Sequence, residues 1–271
     1  MKTTNPIIFT DLDGTLLDFK TYSFDVTKGT VEKLTELGIP VVFCSSKTRV
    51  EQEVYRKALG NAHPFITENG SAIFIPEGYF AFDFKFHQEA DGYKVVELGE
   101  TADFIRAQIK LAREESGNVN FGYADLTIAE ISEITTLDLE ASKRAASREY
   151  SETILKGDVS SEQFGRFKDV LEQKGLACVS GGKFHTVMGL KSDKGKAVEI
   201  LAGLYRKQLG EITTLGLGDS ANDGPLLRAV DKPYLVQKPN GTWQAIEFEG
   251  LEKVAAIGPA GWNEAVAGLL E

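Results

Sequence analysis

Asp11 and Asp13 are one residue apart, and they follow the apolar run Ile7-Ile8-Phe9 and Thr10. Two carboxylates at the end of a buried strand are costly unless something compensates them. A divalent cation together with a phosphoryl group does so. An aspartate has an unperturbed pKa of about 3.9, so at neutral pH it is a ready anionic nucleophile. A serine nucleophile would need an activating base, and the sequence offers none nearby. A carboxylate and a phosphate monoester repel each other, so attack needs a cation between them. Mg²⁺ is hard and oxygen-seeking, and suits that place. Asp13 can protonate a leaving alkoxide and then accept a proton from the hydrolytic water. Gly14 lets the chain bend so that backbone N–H groups face phosphoryl oxygens.

Three further features have the same character. Ser45 and Ser46 follow a second apolar run, Val41-Val42-Phe43-Cys44. Asp219 lies in Gly216-Leu217-Gly218-Asp219-Ser220-Ala221-Asn222-Asp223. Lys194 opens a helical segment in Ser192-Asp193-Lys194-Gly195-Lys196. Asp11 and Asp219 are the natural metal carboxylates, with Asn222 or Asp223 in support. Lys194 neutralises one phosphoryl oxygen, and the Ser45 hydroxyl donates to another. Each feature alone has a plainer explanation. Asp-Leu-Asp-Gly also starts a calcium loop, but Thr15-Leu16-Leu17 breaks that ligand series. A lysine opening a helix is usually a solvated charge, mildly unfavourable at that end of the dipole. Their occurrence together and in order decides for phosphoryl transfer.

Elements of a particular kind are needed to bring these residues to one rim. Short apolar runs at 6–10, 40–44, 65–67 and 72–75 alternate with helix-period segments at 27–37 and 48–59. This order predicts a parallel sheet with right-handed crossovers. The pattern returns after residue 190, with a helix at 193–208, a strand at 212–217, a helix from 221, a strand at 233–236 and a helix at 262–270. In such sheets ligands bind at the carboxyl ends of the strands, where all four features fall. Between them the strands look amphipathic (149–155 and 177–180), with helices at 102–115, 126–148 broken near Asp138, and 161–174. That texture predicts an open sheet covered on one face. The expected fold is α/β: a Rossmann-like parallel core from 1–83 and 190–271, with an α+β cap inserted at 84–189.

The 271 residues are 42% hydrophobic and 26% charged, ordinary for a soluble globular chain. A net charge of -10 disfavours nucleic acid and anionic membranes as partners. A small anion still binds where a cleft's local field is positive. Cys44 and Cys178 read as reduced core thiols of a cytoplasmic protein. The aspartate pair arrives too early for a signal peptide, and no apolar run reaches membrane-spanning length. His63, His87 and His185 are too scattered for a zinc site.

Asp11-Leu12-Asp13-Gly14-Thr15-Leu16, Ser45, Lys194 and Gly218-Asp219-Ser220-Ala221-Asn222-Asp223 resemble the four motifs of the haloacid-dehalogenase-like (HAD) phosphatases. The insert resembles the cap of their Cof-type subgroup. The resemblance implies Asp11 as nucleophile, Asp13 as acid/base, and Ser45 and Lys194 as phosphoryl binders. It also implies Mg²⁺ held by Asp11, the Asp13 backbone carbonyl and Asp219.

Most Cof-type proteins carry Thr-Gly-Arg at the second motif, whereas this chain has Cys44-Ser45-Ser46-Lys47-Thr48. With Thr67-Glu68-Asn69-Gly70, Arg148-Glu149-Tyr150-Ser151-Glu152 and Gly181-Gly182-Lys183-Phe184-His185, it is similar to the mannosyl-3-phosphoglycerate phosphatases over nearly the whole chain. Lys183 stands where many relatives have arginine, and lacks the planar fork of that side chain. The implied substrate offers a carboxylate, a phosphate and hydroxyls. Arg148, Lys183 and the Gly181-Gly182 backbone are expected to meet the anions, Glu149, Ser151 and His185 the hydroxyls. Ser46 and Lys47 complete the expected substrate-binding set. Other sugar phosphates (glucosyl-3-phosphoglycerate, sucrose phosphate, hexose phosphates), a phosphomutase, or a binding protein on the same scaffold are the rival readings.

Overall fold

A computed structural model of the protein describes residues 5–117, 121–157, 159–181 and 184–270. The chain begins with strand β1 (Asn5–Thr10), helix α1 (Asp25–Glu36), β2 (Val41–Phe43), α2 (Arg49–Ala58), β3 (Phe65–Thr67) and β4 (Ala72–Pro76). There follow β5 (Gln88–Ala90), β6 (Tyr93–Glu97), α3 (Ala102–Ser116), α4 (Ile128–Thr135), α5 (Leu139–Ala146) and β7 (Ser151–Leu155). The remainder is α6 (Ser161–Gln173), β8 (Leu176–Gly181), β9 (Phe184–Gly189), α7 (Lys194–Leu209) and β10 (Ile212–Gly218), then α8 (Gly224–Arg228), β11 (Lys232–Gln237), β12 (Glu252–Ile257) and α9 (Gly258–Val266).

Five strands form a parallel sheet in the order β12-β11-β10-β1-β2. Ile7, Ile8 and Phe9 are fully buried because β1 lies in the middle of it, with helices on both faces. Ile7 and Phe9 pack with Leu201 and Tyr205 of α7 and Leu226 of α8. Ile8 packs in the opposite cluster with Val31 and Leu34 of α1 and Trp262 of α9. The sequence reading did not include β12. It is an exposed edge strand, and Glu-Lys-Val-Ala-Ala-Ile shows neither a continuous apolar run nor clean alternation. The helix expected from Ala221 is a 3-10 turn followed by α8, with Pro225 in the first turn of the new helix. The last helix starts earlier than expected, at Gly258, for the same reason: Pro259 occupies its first turn.

A single parallel bridge, Cys44 to Ile66, hands the chain to a second sheet of order β3-β4-β6-β5, all antiparallel. Strands β5 and β6 fall within 84–189, yet they pair with each other and, through β6, with β4. The third sheet, β7-β9-β8, is antiparallel and carries α3 and α6 on one face. Ile154 and Val187 point to those helices, packing with Ile105, Phe167 and Leu171. Asp138 caps α5, which is why the helical stretch breaks there. No helix among the described residues is long and apolar enough to cross a membrane. Cys44 and Cys178 are free thiols.

The turn between β3 and β4 holds the layers together. Glu68, Asn69 and Gly70 have φ of 47°, 61° and 88°, three successive left-handed residues. Such strain persists only where the surroundings fix it. Lys47 and Ser45 carbonyls accept from the Glu68 and Asn69 N–H groups at 3.1 and 3.0 Å. A Cβ on Gly70 would lie 2.3 Å from the Asp193 backbone carbonyl carbon and oxygen. Gly70→Ala is therefore expected to cost roughly 2–5 kcal/mol, from the clash and the left-handed backbone. At about 2–4 °C per kcal/mol for a chain of this size, calorimetry should register a fall in Tm of at least about 4 °C. A variant melting within a degree of the parent would show that the contact relaxes freely.

Candidate active site

The ends of β1, β2 and β10 converge on one cavity of about 800 Å³. Asp11 and Asp219 leave adjacent strands, since β1 and β10 are paired in register up to Thr10 and Leu217. Asp223 comes back to them from the turn after β10. Its Oδ2 accepts from the backbone N–H groups of Asp219 and Ser220 at 3.1 and 3.0 Å. Lys194, the first residue of α7, lies under the cluster with its side chain 1% exposed. Its Nζ donates to Asp11 Oδ1 at 2.8 Å and to Asp223 Oδ1 at 2.7 Å. The N-cap of that helix is Asp193, which accepts from Lys196 N–H.

One ammonium thus faces three buried carboxylates. Burial disfavours its charge, but Asp11 and Asp223 outweigh that and hold its pKa above the ordinary lysine value. The carboxylates carry the opposite strain. Burial, and then Asp223, push Asp11 well above the usual carboxylate range. Burial, and then Asp223, raise Asp219 to about 7, against Lys194 and Lys238. Ligand atoms of Asp11, Asp219 and Asp223 lie within 4.8 Å of one another, and Asp219 Oδ1 is buried with no hydrogen-bond partner. Two unbalanced negative charges and an orphaned oxygen fit a divalent cation. Asp223 is occupied by Lys194 and two backbone donors, and Asn222 by Asn69 and Ser220, so Asp11 and Asp219 are the freer ligands. Gly14 has a φ of +83°, and a Cβ there would meet Asp219 Oδ2 at 2.9 Å.

Asp13 sits at the cavity edge and pairs with Lys47, Nζ to Oδ2 at 3.0 Å. Burial raises the Asp13 pKa and Lys47 opposes it. Lys47 also lies over the Tyr22 ring, 4.6 Å from its centroid. It is thus turned to Asp13 and away from the cavity lining. Ser45 is buried, its Oγ accepting from Lys47 N–H at 3.3 Å, whereas Ser46 lines the cavity.

The cap residues are placed by strand parity. Thr153, Thr186 and Met188 line the cavity, while Ile154 and Val187 face the helices. His185 falls with the second set. It stacks on Phe164 of α6 with centroids 4.3 Å apart, and its Nδ1 bonds Ser180 Oγ. Arg148 does line the cavity, donating from Nη1 to the Ser46 carbonyl at 2.9 Å and to Ser151 Oγ at 3.3 Å. Glu149 pairs with Arg49 of α2, Nε to Oε2 at 3.2 Å. The buried Glu68 carboxylate accepts from Glu149 N–H at 2.9 Å, from Tyr150 N–H and from Ser151 Oγ. Ser151 and Glu149 are therefore fastened to the core rather than turned to the cavity. Gly182 and Lys183 lie outside the described residues.

Asn69, Tyr123, Lys238 and Gln244 also line the cavity, and sequence reasoning did not single them out as site residues. A signal existed for one of them. Lys238 follows the strand expected at 233–236, at its carboxyl end, where ligands of such sheets bind.

A family model described as haloacid dehalogenase-like hydrolase matches residues 8–245. The glucosyl-3-phosphoglycerate/mannosyl-3-phosphoglycerate phosphatase of Methanococcoides burtonii is 43% identical over 266 residues, 97% of each chain. The mannosyl-3-phosphoglycerate phosphatase of Pyrococcus horikoshii is 43% identical over 230 residues, 85% of this chain and 90% of that one. Among solved structures, a Thermoplasma acidophilum protein superimposes with a TM-score of 0.65 at 15% identity, covering 99% of this chain and 100% of that one. The sucrose-phosphatase of Synechocystis gives 0.59 at 14% identity, covering 98% of each. At such identities the structures speak for the fold alone. The matching model, the full-length relatives and the shared fold bear out the resemblance read from the motifs, and the chain belongs to the haloacid dehalogenase-like hydrolases.

Proposed function

We propose that the protein is a Mg²⁺-dependent phosphatase that converts mannosyl-3-phosphoglycerate to mannosylglycerate and phosphate, and that it also accepts the glucosyl compound. The observation that carries the catalytic part is the cluster of Asp11, Asp219 and Asp223 on Lys194 at the floor of a roofed cavity. The full-length relatives that bear these names support the substrate.

Asp11 is the nucleophile in this reading. Lys194 fixes its Oδ1 and so orients the carboxylate. An Asp11 oxygen forms a bond to phosphorus as the bond from phosphorus to the glycerate oxygen breaks. Asp13 gives its proton to that leaving oxygen, which burial favours by raising the Asp13 pKa. Asp13 then takes a proton from water as the water attacks the aspartyl-phosphate, releasing phosphate and restoring Asp11. Lys47 stabilises the ionised form of Asp13 between these transfers. When bound, the divalent cation held by Asp11, Asp219 and the Asp13 carbonyl neutralises charge on the phosphoryl group. Asp223 and Asn222 hold the loop that carries Asp219.

The cap is read as a unit that opens to admit substrate and closes to exclude water. We take it to begin after β6, since β5 and β6 belong to the sheet of β4. The two free thiols and the chemistry of the substrate class support a cytoplasmic setting.

Phosphate release from a panel of phosphomonoesters tests the proposal. The two glycosyl-3-phosphoglycerates should exceed sucrose phosphate and hexose phosphates in kcat/KM by about 100-fold or more. EDTA should abolish turnover and Mg²⁺ should restore it. Comparable rates on hexose phosphates would refute the substrate, turnover in EDTA would refute the metal, and sugar-phosphate isomers without free phosphate would indicate a mutase.

A further inference from the structure

The catalytic cluster leaves one cation of the cavity without a role. Three cationic side chains line the cavity among the described residues: Lys194, Arg148 and Lys238. Lys194 is spent on Asp11 and Asp223. Arg148 is tied to the Ser46 and Ala145 carbonyls and Ser151 Oγ, and its charge is engaged by the buried Glu68 carboxylate, which Arg148 acts to keep ionised. Lys238 forms no salt bridge among the described residues, and its Nζ donates to the side-chain oxygen of Gln244. A neutral amide positions an ammonium without neutralising it. The charge stays available to a ligand.

The loop that presents this pair is built rather than loose. Lys238 N–H donates to the Thr242 carbonyl at 2.8 Å, and the Lys238 carbonyl accepts from Gly241 N–H at 2.8 Å. Asn240 Oδ1 accepts from Thr242 N–H and Oγ1 at 3.1 and 2.8 Å. The next residue, Trp243, is pinned by its indole N–H to the Val254 carbonyl of β12 at 3.0 Å. Lys238 and Gln244 therefore face each other across a turn held at both ends. The turn continues β11, the neighbour of β10, which carries Asp219 at its end. The field of Lys238 reaches the catalytic floor, where it acts to lower the Asp219 pKa.

We infer that Lys238, positioned by Gln244, is the specificity-determining residue that binds the carboxylate of the substrate. The inference rests on the phosphoglycerate reading above. That substrate carries a second anion two carbons from the phosphoryl-bearing carbon. With phosphorus at Asp11, the carboxylate stays inside the cavity and needs a cation that is neither Lys194 nor spent elsewhere. A carboxylate there would accept a charge-assisted hydrogen bond from Nζ and share the ammonium with Gln244. The uncharged sugar falls to the hydroxyl-bearing cap residues, Tyr123, Thr153 and Thr186.

A matched substrate pair separates this role from a general one. Mannosyl-3-phosphoglycerate is compared with its analogue in which the carboxylate is reduced to a hydroxymethyl group. Lys238→Gln is expected to lower kcat/KM for the carboxylate substrate by roughly 10- to 100-fold, mostly through KM. The loss on the reduced analogue should be at least tenfold smaller. Gln244→Glu sets a competing carboxylate against Lys238 with the lysine retained, and should shift the preference in the same direction. Equal losses on both substrates, or no loss on either, would overturn the inference and leave the phosphatase reading standing. A parent enzyme that hydrolyses neither glycosyl-phosphoglycerate would overturn the reading itself before any variant is compared.

Discussion

Asp11→Asn is expected to lower phosphate release by about 10⁴-fold or more while the protein stays folded. The amide is nearly isosteric with the carboxylate but cannot form the acyl-phosphate. Stability should move the other way. The Asp11 pKa is raised in the folded state by burial and by Asp223. A carboxyl whose folded pKa lies above its unfolded value stabilises the protein while protonated, and costs stability once pH rises through that window. Asparagine removes the cost. Without metal at pH 8 the variant should melt no lower than the parent, and Mg²⁺ should raise its Tm less. Phosphate release within tenfold of the parent would sink the nucleophile assignment. Inactivity with a collapsed melting transition would show Asp11 to be structural instead.

Lys194→Met carries the second large effect, on stability and rate together. It deletes the one ammonium beneath three carboxylates. Breaking a buried ion pair by removing one partner costs about 3–5 kcal/mol, which is roughly 10 °C in Tm here. The loss should depend on pH. Asp11 lies well above the carboxylate range and Asp219 near 7 even with the lysine in place. Without it both rise further, so the folded state binds more protons than the unfolded chain from about pH 4 upward. Stability of the variant therefore falls as pH rises through that range. Calorimetry should find the deficit small at pH 5, large at pH 8 without metal, and partly repaired by Mg²⁺ at pH 8. A deficit independent of pH would mean that the lost packing of the lysine stem, not its charge, is responsible. Turnover at pH 8 with Mg²⁺ should fall by about 10²-fold or more, since an electrostatic donor to the reacting groups is gone.

The parts of this site legible in the sequence are those that sit at the ends of buried strands. Asp11, Asp13, Ser45 and Asp219 follow unmistakable apolar runs, and a parallel sheet sends all such ends to one rim. Lys194 could be added because Asp193 starts a helix at a position that returns to the same rim. The cap resisted the same reasoning. Its sheet has one face on α3 and α6 and the other on the cavity, and a period of two shows that there are two faces without showing which is which. His185 is on the helix face and Thr186, its neighbour, on the cavity face. Glu149 and Ser151 are polar for a different purpose, since they tie the cap to Arg49 and Glu68. Strands β5 and β6 were hidden by short length and by exposure: Gln-Glu-Ala and Tyr-Lys-Val-Val-Glu carry too few apolar residues to announce themselves. Lys238 was not singled out, although it stands just past the carboxyl end of the strand expected at 233–236.

The Glu68-Asn69-Gly70 turn has a consequence for how this chain tolerates change. Its sequence is that of a hairpin tip, the kind of place where insertions, tags and loop grafts are ordinarily harmless. Here Glu68 holds the backbone of Glu149 and Tyr150, Asn69 accepts from Asn222 in the turn that follows Asp219, and Gly70 abuts the backbone of Asp193 and Lys194. Three consecutive residues thus touch the cap, the turn after β10 and the start of α7. Lengthening the tip by a single residue would put all three out of register at once. What looks like a free hairpin is a junction that resists editing, and variation in loop length belongs elsewhere, at exposed connections such as the 77–78 turn.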